Sequence, residues 1–97
     1  DWPVSSPDPL LGIATAVNRS LPRGASWTLE QALTVREALC AYTSGSARQI
    51  RSASGHGTLG LGDPAEFVVL SANPFEVEPR DLFDLKVVAT STLANPL

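Results

Sequence analysis

Apolar positions along this chain change their spacing partway. Leu10, Ile13, Ala14 and Val17 fall at i, i+3, i+4 and i+7, the single stripe of a short amphipathic helix. Ser6-Pro7-Asp8-Pro9 precedes it, with Asp8 placed as an N-cap and Pro9 at the first helical position. Pro22 and Gly24 are expected to end it, leaving residues 20–26 as a loop. A second stripe, Val35, Ala38, Leu39 and Tyr42, follows two capping-box spacings, Thr28 to Gln31 and Thr34 to Glu37. Together they predict a single turn running into a longer helix. Thr43-Ser44-Gly45-Ser46 is expected to break that helix, and a short third one is expected over residues 47–50. Beyond Ser52 the helical period is lost. Ser54-Gly55-His56-Gly57 reads as a flexible loop, and Gly60, Gly62 and Asp63-Pro64 as turn chemistry. Phe67-Val68-Val69-Leu70 and Lys86-Val87-Val88-Ala89-Thr90 are strand candidates, with a helical turn at residues 79–83 between them. Helices precede strands, which predicts a small α+β unit.

Composition narrows what such a unit does. At 97 residues there is room for one domain at most, so a complete barrel enzyme does not fit. A net charge of -3 argues against nucleic-acid binding, which leaves a basic footprint. No apolar run approaches the roughly 20 residues of a membrane-spanning helix. No basic segment followed by an apolar one marks a secretory signal, so a cytoplasmic location is expected. The sequence holds no Met and begins Asp1-Trp2-Pro3-Val4, which reads as a processed chain or a piece of something longer.

Candidate chemistry is sparse. His56 is the only histidine and lacks the partners of a zinc motif, so it reads as a solvated loop residue. Cys40, the only cysteine, allows no internal disulfide and reads as a buried, inert thiol beside the second stripe. The glycines at 55, 57, 60 and 62 match no phosphate-binding loop. Glu37 reads as a capping-box residue, and Asp81 with Asp84 as a surface pair.

Three stretches in order resemble the C-terminal end of the amidohydrolase superfamily, in its family 3 group of metal-dependent hydrolases. Asp1-Trp2-Pro3-Val4 with Asp8-Pro9-Leu10-Leu11-Gly12-Ile13 resembles the S-D-x-P-V segment and the D-P-L-x-G-I helix start after it. Leu33-Thr34-Val35-Arg36-Glu37-Ala38-Leu39-Cys40-Ala41-Tyr42-Thr43 resembles the L-T-x-x-E-A-L-x-A-Y-T helix. Gly57-Thr58-Leu59-Gly60-Leu61-Gly62-Asp63-Pro64-Ala65-Glu66-Phe67-Val68-Val69-Leu70 resembles the G-S-L-x-x-G-x-x-A-D-F-V-V-L strand pair, with Glu66 in place of the usual Asp.

The resemblance implies an α+β fragment. Residues 1–52 would hold the end of barrel strand eight and the closing helices of a (β/α)8 barrel. Residues 53–97 would hold strands of a small β-sandwich, from Thr58 to Leu70 and from Lys86 to Thr90, and the C-terminal tail. It implies metal-assisted hydrolysis of non-peptide C–N bonds, amide or cyclic amide, with Asp1 as catalytic carboxylate and metal ligand. The divalent metal, zinc by family habit, would belong to the parent enzyme. Its other ligands, an H-x-H pair, a carboxylated Lys or Glu and two later histidines, would lie upstream of Asp1. The chain by itself is expected to hold no cofactor and to be inactive. Its expected partners are the remainder of the barrel, or another copy through exposed apolar surface, with neither nucleic acid nor membrane. The competing reading is a stand-alone, non-catalytic interaction module.

Overall fold

A computed structural model of the chain describes residues 4–52 and 55–97. The first helix, α1 (Pro9–Asn18), starts as its sequence demands: the Asp8 side chain accepts from the Leu10 N–H at 3.0 Å, and Pro9 occupies the first turn. It ends earlier than Pro22 and Gly24 suggest. Arg19 turns left-handed (φ 51°), and its N–H closes onto the Thr15 carbonyl at 2.7 Å.

Only the second of the two expected capping boxes forms. Thr28 is itself left-handed (φ 47°), and its hydroxyl accepts from the Arg19 guanidinium at 2.8 Å instead of capping the 3-10 turn Leu29–Gln31. Thr34 and Glu37 do make the reciprocal pair, at 3.1 and 2.8 Å, and open α2 (Val35–Cys40). The expected break at residues 43–46 does not occur. The chain continues through a π turn, Ala41–Gly45, directly into α3 (Ser46–Gln49). Thr43 Oγ1 donates to the Leu39 carbonyl and Ser46 Oγ to that of Ala41, so the hydroxyls that weaken a helix elsewhere here support the widened turn.

Both short strands predicted from the apolar runs form, the second shifted by one residue, while the longer strand region that the resemblance implies from Thr58 is strand only over its last four residues. β1 (Phe67–Leu70) and β2 (Val87–Ser91) pair antiparallel, Phe67 opposite Ser91 and Leu70 opposite Val87, with an irregularity between Val69 and Leu70. Residues 58–66 add no strand. They are irregular around a turn at residues 61–62, where the Asp63 carboxylate accepts from the Thr58 hydroxyl and the Gly60 N–H. Between β1 and β2 runs a 3-10 helix, Pro79–Asp84, where one helical turn was expected.

That 3-10 helix makes the core. Ala14 of α1 packs with Leu82 and Leu85, with Leu10, Val17, Val35, Val77 and Phe83 around them. Two polar links fasten the same contact. Buried Asn18 donates from one Nδ2 to the carbonyls of Ala14 (2.9 Å) and Pro79 (2.7 Å). Arg80 reaches the buried Ser20 hydroxyl at 2.9 Å and the Gly24 carbonyl at 3.0 Å. Asn18→Ala leaves the Pro79 carbonyl without its side-chain donor. The expected loss is about 1–3 kcal/mol, read as a lower urea midpoint at constant slope. Asn18→Asp is expected to cost more at neutral pH, because a carboxylate would then face two carbonyl oxygens.

This core is small for the surface it leaves. The chain exposes 7185 Å², whereas a folded monomer of 10.2 kDa exposes about 5,300 Å². The radius of gyration is 14.4 Å, against about 12.5 Å for a compact domain of this length. Much of the exposed area is apolar: Leu21, Leu59, Leu61, Val68 and Val88 are all more than half exposed.

Candidate functional site

Asp1, the one residue the sequence marks as catalytic and metal-binding, lies outside the described residues. What the structure does place is the chain that follows it. Val4, Ser5 and Ser6 run into the capped start of α1 and, with Leu11, Gly12, Thr15 and Tyr42, line a groove along that helix. Gly12 is what lets Tyr42 lie there. A Cβ at position 12 would clash with the Tyr42 hydroxyl, so the glycine allows α1 and the π turn to meet at this point.

The remaining titratable side chains do not assemble a reaction centre. No group of three or more His, Cys, Asp or Glu side chains among the described residues could hold a metal ion. The divalent metal implied by the resemblance therefore finds no ligand set in them. His56 is half-buried, and its Nδ1 lies 2.8 Å from Ser52 Oγ, so it is tied to a neighbour where a solvated ring was expected. Its described partner is a hydroxyl, and no described carboxylate bonds the ring to complete a nucleophile–base–acid relay. Cys40 is exposed, which overturns the expectation of a buried thiol. It sits one residue past Leu39, about 100° around the helix from the apolar stripe, and so faces away from it. Glu37 is the capping residue its spacing implied, while Glu66 is exposed with its N–H bonded to the Pro64 carbonyl.

The residue that sequence reasoning undervalued is Asp63. Its carboxylate accepts from the Thr58 hydroxyl and, at 2.7 Å, from the Gly60 N–H. The Thr58 bond, followed by that of Gly60, holds the carboxyl below its ordinary pKa of 3.8. A Cβ on Gly55 would come within 2.7 Å of the same carboxylate, and Gly55 has a φ of +89°, so the loop is drawn close around it. Asp followed by Pro in a glycine-rich stretch was the available signal. Because the folded pKa is depressed, Asp63 contributes stability above pH 3.8, and this is lost as pH falls through the lowered value. Asp63→Asn is accordingly expected to destabilise near neutrality and to converge with the native chain on acidification. Urea midpoints across an acid titration read this directly, and a constant difference at all pH values would contradict it.

Among the described residues, no helix is long and apolar enough to cross a membrane.

Comparison with known proteins gives this geometry its context. The profile of the Amidohydrolase family matches residues 1–92. The protein named Putative amidohydrolase YtcJ of Bacillus subtilis (strain 168) is 39% identical over 93 residues, covering 93% of this chain and 18% of that protein. Protein LONG AFTER FAR-RED 3 of Arabidopsis thaliana is 35% identical over 91 residues, covering 93% of this chain and 15% of that protein. The chain thus spans less than a fifth of the length of either relative. No solved structure matches it significantly. With a family match across nearly its whole length, and the α1 start, the Thr34–Glu37 box and the Phe67–Leu70 strand formed where the family motifs fall, the chain belongs to the amidohydrolase family.

Proposed function

We propose that this chain is the C-terminal part of a metal-dependent amidohydrolase that cleaves non-peptide C–N bonds, amide or cyclic amide. Asp1 is its one contribution to the reaction centre. The family match over residues 1–92 carries the family part of this reading. In this reading α1 to α3 close a (β/α)8 barrel, while β1 and β2 belong to a small β-sandwich. A divalent metal, zinc by family habit, is held by residues outside this chain together with Asp1. The described residues by themselves offer it no ligand set.

The partner is the rest of the same polypeptide. Supporting this is the roughly 1,900 Å² by which the chain's exposed surface exceeds that of a folded monomer of its mass, well above the about 800 Å² that each partner of a standard stable interface buries. The relatives' length leaves ample chain to cover it. A stand-alone interaction module would display the same excess, so the two readings part on activity and on what relieves the exposure.

The chain alone, at verified intact mass, is expected to bind a hydrophobic dye strongly and to show no metal-dependent turnover of amides or cyclic amides. Expressed as part of its full-length protein, it is expected to lose the dye signal and to support turnover. Turnover by the isolated chain would refute its inactivity. A parent reading frame with no H-x-H upstream of Asp1 would refute the enzymatic reading and leave the interaction module.

A further inference from the structure

We draw no further inference here: the strongest candidate, the polar hollow lined by Ser44, Arg48, Ser52, Gly55 and His56 beside the end of α3, names no ligand, because Arg48 opposes a cation, the carbonyl end of α3 and the Asp63 carboxylate near Gly55 oppose an anion, and no buried side-chain polar atom among the described residues is left unpartnered to point to one.

Discussion

Leu82→Ala is expected to lower the thermal midpoint of this chain by roughly 10–30 °C, or to abolish its cooperative transition altogether. Leu82 is 1% exposed and is the largest fully buried side chain among the described residues. It packs with Ala14 and Leu85 at the centre of the core. Removing its three distal carbons deletes buried apolar area and leaves a cavity, together worth about 2–5 kcal/mol. An ordinary domain has about 5–15 kcal/mol in total. With only Ala14, Leu82 and Leu85 at the centre of the cluster, this chain belongs at the low end of that range. Far-UV circular dichroism during heating measures the effect. Leu82→Met, which keeps the volume, is expected to cost less than about 1.5 kcal/mol and serves as the control. A midpoint for Leu82→Ala within a degree or two of the native one would show that α1 is not held by this contact.

Asp1→Asn in the full-length protein is expected to reduce kcat by roughly 10²–10⁴-fold with little change in KM. In the proposed reaction this carboxylate takes a proton from the attacking water and returns it to the leaving amine. The amide of Asn has nearly the same shape and can still occupy the position, yet it cannot carry that proton. The distinguishing readout is the pH profile of kcat/KM, whose acid limb should disappear with the titrating carboxylate. Metal content by elemental analysis separates loss of the proton carrier from loss of the metal. A variant that keeps its kcat would remove Asp1 from the mechanism, and one that loses both metal and activity would show that it is a metal ligand.

Local chemistry that satisfies itself within a few residues was legible in the sequence. Asp8 with Pro9, Thr34 with Glu37, and the β-branched run at Phe67–Leu70 each carry their own partner or period. What stayed hidden was settled by neighbours. Thr28 has the spacing of a capping box, but the Arg19 guanidinium claims its hydroxyl. Thr43-Ser44-Gly45-Ser46 reads as a breaker by composition, whereas hydroxyl-to-carbonyl bonds carry the helix through it. Gly57 to Gly62 belongs to the stretch that resembles a strand pair, but here the Asp63 carboxylate takes the Thr58 hydroxyl and the Gly60 N–H and the segment is not strand. The candidate site was least legible. A single carboxylate has no period, so Asp1 gained meaning only through the ordered resemblance of the three motifs.

The bond from Asn18 to the Pro79 carbonyl spans 61 positions, and the Arg80 bond to Ser20 spans 60. Both lie at the contact that covers α1. During synthesis α1 therefore leaves the ribosome long before its lid exists. At roughly 5–20 residues per second the wait is about 3–12 s. Throughout that interval its apolar stripe is available to whatever stands nearby, whether an earlier part of the same polypeptide or a chaperone. A stalled or prematurely terminated message ending before Leu82 would release α1 without its main cover, with only residues such as Val35 and Tyr42 left to pack on it. Such products are expected to be cleared by proteolysis rather than to accumulate.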